Sequence, residues 1–101
     1  MTSDPATCAP MAGIRSEIDS LDREIVALLA RRAAWIDRAV VVKRDERLPA
    51  RIGARVEEVI ANVRAEADAA GLDPALAEAL WRRIVDWSIA REERALAEGR
   101  R

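Results

Sequence analysis

The sequence contains no histidine and one cysteine, Cys8. Imidazole acid–base chemistry and histidine metal ligation are therefore excluded. A lone cysteine excludes an intramolecular disulfide and a cysteine-cluster zinc site. No metal is expected. There is no glycine-rich phosphate loop, no internal repeat and no low-complexity tract. The first residues, Met1 to Ala6, lack both a basic stretch and an apolar stretch, so no signal peptide is read there. The longest purely apolar run is six residues, Ile25–Ala30, and others such as Ala39–Val42 reach four, far short of a membrane span. Charge of one sign is also missing: 17 Lys plus Arg stand against 18 Asp plus Glu. That balance gives no global case for nucleic acid or an anionic membrane. A cytoplasmic setting is the expectation.

What is present is a soluble, folded composition, with 50% of residues apolar and 35% charged. At 101 residues the chain has room for one domain. Proline and glycine punctuate the ends and two interior points, Pro49 to Gly53 and Gly71 to Pro74. Between them the apolar pattern is helical and no window alternates with period two, so the fold class is all-α with three helices.

The first helix is expected from Ala12 to Glu46. Ile14, Ile18, Leu21, Ile25, Leu28, Trp35 and Val42 advance in steps of three and four, with Arg32 and Ala39 filling the remaining slots. Such a helix is roughly 50 Å long at 1.5 Å per residue. A compact monomer of this size has a radius of gyration of about 13 Å, so its own chain cannot cover that length. The sustained stripe predicts a second chain packed on it. The second helix is expected from Ile52 to Ala70, with Ile52, Val56, Val59, Val63 and Ala67 on one face and Gly71 as the stop. Asp73-Pro74 reads as an N-cap followed by proline at the first helical position of a third helix, Pro74 to Ala97. It carries Leu76, Leu80, Ile84 and Trp87 on one stripe and Trp81, Val85, Ser88 and Glu92 on a neighbouring one. The three tryptophans read as core. The division is a mobile segment at 1–11, a helical domain at 12–98 and a tail at 99–101.

The chemistry rests on cations and polar groups in unusual slots. Arg32 occupies an apolar position, where it either snorkels, pairs with a structural carboxylate, or binds a ligand carboxylate bidentately. Lys43 lies three turns on, near the same face, about 16 Å away. Arg15 lies about 25 Å before Arg32 along the axis, so the two share a small site only across an antiparallel dimer. Ser88 and Glu92 sit one turn apart beside Trp81 and Val85. Glu92 is either a carboxyl on a partly apolar face that stays protonated as a donor, or a solvated side chain paired with Arg91.

The run Ile14-Arg15-x-x-Ile18-Asp19-x-Leu21-Asp22-x-x-Ile25-Val26-x-Leu28-Leu29-x-Arg31-Arg32, followed by Lys43, resembles the first helix of AroQ-type chorismate mutases. The later features are similar: Pro49, Arg51, Arg55, Gly71-Leu72-Asp73, and Ile84-Val85-x-Trp87-Ser88-Ile89-Ala90-x-Glu92. The likeness covers about residues 12–95. Cys8-x-x-x-Ala12-x-Ile14-Arg15 and the Trp-Ser-Ile-Ala stretch look closer to the isochorismate pyruvate-lyase branch of the same fold.

The resemblance implies an intertwined helical homodimer with two shared sites and no cofactor. It implies that Arg32 and the partner's counterpart of Arg15 bind the carboxylates of a small dicarboxylate substrate, chorismate or isochorismate, and that Arg55 joins them. Lys43 then contacts the ether oxygen and a carboxylate, Ser88 holds ring-side groups, and Glu92 donates to the ether oxygen. Ile52, Val56 and Val85 would line the pocket. The implied reaction is rearrangement of chorismate to prephenate, in aromatic amino-acid or secondary-metabolite biosynthesis. Its alternatives are cleavage of isochorismate to salicylate plus pyruvate, and a non-catalytic dimeric helical module. Ile52 and Val56 stand where family enzymes often carry Asp and Glu, and Glu92 where many carry Gln. The first two changes leave room for isochorismate or an amino analogue of chorismate.

Overall fold

The computed structural model describes residues 10–99. Cys8 and most of the segment read as 1–11 therefore lie outside the described residues, as do Arg100 and Arg101. Three helices follow one another: α1 (Met11–Glu46), α2 (Gly53–Ala70) and α3 (Pro74–Glu98). There is no strand among the described residues.

The helix ends follow local chemistry. Asp73 caps α3, its side chain accepting from the Ala75 N–H at 2.9 Å, and Pro74 takes the first turn, where its missing N–H costs nothing. Gly71 ends α2 at φ 76°, the left-handed region glycine enters without a Cβ clash. Its N–H donates to the Asp68 carbonyl at 3.2 Å, and the Leu72 N–H donates to the Ala67 carbonyl at 2.8 Å. The end of α1 repeats this double bond with a different residue. The Arg47 N–H donates to Arg44 O at 3.3 Å and the Leu48 N–H to Lys43 O at 2.8 Å, and Arg47 itself stands at φ 57°.

The chain divides within α1 into two units, one ending at Trp35 and the other beginning at Ile36. In the first unit the periodic apolar positions are open: Ile18, Leu21, Ile25, Leu28 and Trp35 are all exposed, Trp35 at 73%. In the second unit a small core gathers Val40, Ala50, Val85, Ile89 and Leu96, with Val56, Val59, Trp81 and Ala95 packed against it.

The tryptophans do not follow the sequence reading. Only Trp81 packs on the core, while Trp35 and Trp87 are exposed. On α3 the buried stripe is Ala77, Val85, Ser88, Ile89, Glu92 and Leu96, whereas Leu76, Leu80 and Trp87 face outward. Both stripes satisfy helical periodicity, and contact with α2 and the end of α1 selects between them.

Ion pairs tie the helices at the surface. Arg82 reaches Glu57 and Glu78, and Glu78 also takes Arg64. Arg91 on α3 grips Asp37 on α1 through two bonds of 2.6 and 2.9 Å, and its guanidinium lies 5.5 Å from the centre of the Trp87 ring. The Arg91 hydrogen bonds hold the Asp37 carboxyl below its ordinary value of 3.8. A carboxyl whose value is lowered on folding adds stability above its unfolded value and loses it as pH falls through the folded one. Asp37→Asn is therefore expected to lower Tm at neutral pH. The gap should close as both proteins are melted toward pH 2. A gap that stays constant with pH would show that Asp37 acts through something other than its charge.

Candidate active site

Lys43 and Glu92 are 49 residues apart in sequence and in direct contact in space. Lys43 Nζ lies 3.1 Å from Glu92 Oε2. Glu92 is 3% exposed, so its carboxylate has left bulk water. A carboxylate buried to that degree requires a cation or several donors. Lys43 supplies the cation from the last turn of α1, and its Nζ also donates to the Ala50 carbonyl at 2.7 Å. The loop after α1 thus fixes the ammonium from one side and α3 from the other. The solvated Glu92–Arg91 pairing allowed by the sequence does not occur, because Arg91 is committed to Asp37.

Ser88 is buried one turn before Glu92, and its hydroxyl donates to the Ile84 carbonyl at 2.8 Å. Val85 lies a further three residues back, in the core. Val56 packs on that core from α2, and Ile52 precedes α2 with an extended backbone at its N-terminus. Arg55 sits in the first turn of α2 with an exposed side chain paired to Glu58 on the same helix. Arg15 is exposed and Arg32 half-buried, both in the first unit. The second unit alone therefore assembles Lys43, Ser88 and Glu92 around the apolar Val85.

Two contributors escaped the sequence reading. The Ala50 carbonyl is one, and a backbone acceptor carries no residue signature. Asp37 is the other; it frees Glu92 from Arg91. An acidic residue two before the Ala39 stripe slot gives no hint of a partner 54 positions away.

What the pair can do follows from donor arithmetic. An ammonium has three N–H donors and no acceptor. Two are used, on Ala50 O and Glu92, which leaves one for an incoming oxygen. The site has polar groups for orientation and charge, and no nucleophile activated by an adjacent base. Among the described residues no cluster of His, Cys, Asp and Glu could hold a metal ion. No described helix is long and apolar enough to cross a membrane.

Residues 14–93 match the family described as chorismate mutase type II. The T-protein of Haemophilus influenzae is 38% identical over 79 residues, covering 78% of this chain and 21% of that protein. The T-protein of Enterobacter agglomerans is 33% identical over 84 residues, covering 83% of this chain and 22% of its own length. The chain thus spans about a fifth of the T-proteins it matches. The isochorismate pyruvate lyase of Pseudomonas aeruginosa is 35% identical over 92 residues, covering 87% of this chain and 86% of the lyase.

Proposed function

This chain belongs to the chorismate mutase type II family, whose members act on chorismate-type substrates, and from that membership we propose that it is a chorismate mutase converting chorismate to prephenate. The observation that carries the reading is the buried Lys43–Glu92 pair with one ammonium N–H to spare. In this rearrangement a C–O bond breaks as a C–C bond forms within one molecule. No group is transferred, so no nucleophile or cofactor is needed. The protein's task is to hold the compact reactive conformer and to stabilise charge gathering on the ether oxygen.

Lys43 is the group for that charge, and Glu92 adds a hydrogen bond when protonated. Arg32, Arg55 and the partner's counterpart of Arg15 hold the substrate carboxylates, and Ser88 holds the ring side. Ile52, Val56 and Val85 form an apolar wall. The protein works as a homodimer with shared sites. Exposed Ile18, Leu21, Ile25 and Leu28 support this, because a helical stripe of that kind is stable in water when another helix covers it.

A second reading is isochorismate pyruvate lyase. Two points favour it: the Pseudomonas aeruginosa lyase aligns over most of its length, and Val56 stands where the resemblance implies a glutamate that would meet the chorismate hydroxyl. Incubation with chorismate and with isochorismate, followed by product chromatography, separates the two. Prephenate from chorismate, lost in Arg32→Ala, supports the mutase. Salicylate plus pyruvate from isochorismate, with little prephenate, replaces it by the lyase. Turnover of neither overturns both.

An ionised carboxylate only accepts hydrogen bonds, so Glu92 donates to the ether oxygen in its acid form alone. Glu92→Gln, a permanent donor of nearly the same shape, is therefore expected to keep or raise turnover of chorismate, read by product chromatography beside the wild type. Loss of turnover in that variant removes the donor role from Glu92.

A further inference from the structure

The end of α1, the loop after it and the last turns of α3 border a surface-open cavity of about 460 Å³, lined by Lys43, Arg44, Arg47, Leu48, Pro49 and Leu96. That volume falls within the range of small-molecule sites. The lining divides into three cations and three apolar residues, and no carboxylate lines it.

Charge narrows the occupant. Lys43 is already neutralised by Glu92 behind it. The C-termini of α1 and α3 both meet here: Lys43 to Arg47 close α1, and Arg44 donates to the Ala95 carbonyl near the end of α3 at 2.9 Å. Each helix end carries roughly half a negative charge. Together they cancel about one more of the three positive charges. About one remains, so the cavity suits a monoanion better than a dianion.

Arg47 is the telling residue. It occupies the left-handed position that ends a helix, at φ 57°. The same pair of closing hydrogen bonds ends α2, and there the position is Gly71. An L-residue is disfavoured in that conformation, because its Cβ crowds the following carbonyl oxygen. Among the described residues the Arg47 side chain has no ion-pair partner to offset this. Its neighbour Arg44, in contrast, is fixed against Ala95 O and lies in the space a Cβ on Gly99 would need. Backbone strain kept at a residue whose side chain lines a cavity points to function rather than folding.

We propose that this cavity is a binding site for an aromatic monocarboxylate. The carboxylate is held by Arg47 and Arg44. The ring lies against Leu48, Pro49 and Leu96, with the guanidinium planes available for stacking. The cavity borders the proposed reaction site through Lys43, but the groups that hold this ligand, Arg44, Arg47, Leu48, Pro49 and Leu96, have no part in the proposed reaction.

The test uses benzoate as the probe, with titration calorimetry on the full chain. Wild type is expected to bind one benzoate per chain. Arg47→Gly should weaken binding at least tenfold, as expected for loss of a charge-assisted hydrogen bond. The same substitution should leave Tm unchanged or raise it, because glycine suits φ 57°. That opposition of stability and affinity is one a merely structural arginine cannot produce. Arg32→Ala should bind benzoate as wild type does. The proposal is overturned if benzoate does not bind at millimolar concentration. It is equally overturned if Arg47→Gly binds with wild-type affinity, or if Arg32→Ala alone abolishes binding, which would place benzoate in the substrate site.

Discussion

Replacing Lys43 with methionine is expected to lower kcat/KM for chorismate by about two to three orders of magnitude, the usual cost of removing one preorganised donor from the atom where charge develops. Methionine keeps length and apolar bulk, so the loss tracks the ammonium. The substitution also strands Glu92, which is 3% exposed and takes its cation from Lys43. Removing one partner of a buried pair costs on the order of 3 kcal/mol, at the lower end here because the Lys43 side chain keeps 18% exposure. Tm should fall by more than about 10 °C. The double variant Lys43→Met with Glu92→Gln separates the two effects. With no charge left to strand, it should regain most of the lost stability and none of the activity. Steady-state kinetics at a temperature where all three proteins are folded, read beside thermal melts, decides the matter. A double variant as active as wild type would remove Lys43 from the chemistry.

A charge placed on the open stripe of α1 should be as damaging, by another route. Ile25 is 54% exposed, with Leu21 and Leu28 exposed beside it at steps of four and three. Covering side chains of this kind contributes about 1.5–3 kcal/mol each, and a dimer covers them on both chains. Ile25→Asp puts an unpaired carboxylate into that contact, where desolvation opposes association. The expected result is a monomer by sedimentation at micromolar concentration, with chorismate turnover lost. The second unit, with its own core and the Lys43–Glu92 contact, lies beyond this substitution. Loss of activity would then report the loss of the partner's arginine rather than collapse of the lysine site. A fully active monomer would refute the shared-site arrangement.

Much of the fold was legible because helix signals are local. Ile14 to Val42 in steps of three and four, Gly71 as a left-handed stop and Asp73-Pro74 as a cap each act within a few residues. The observed bounds of Met11–Glu46, Gly53–Ala70 and Pro74–Glu98 fall within a residue of the expected ones. Ser88 and Glu92 were also legible as polar groups on a helical face beside Val85. Their partners were not. Arg91 is adjacent to Glu92 in sequence and takes Asp37 instead, while Glu92 takes Lys43 from 49 positions away.

The sequence by itself thus determined the helices, their ends and the residue types offered to the site, since hydrogen bonding and side-chain period within a helix depend on near neighbours. Tertiary structure alone decided which α3 stripe is buried, which leaves Trp87 outside and Glu92 inside. It also decided that Ala50 O and Glu92 share the Lys43 ammonium. The physical reason is common to both. Each outcome is set by which distant groups compete for one buried position, and that competition is settled only when the elements pack.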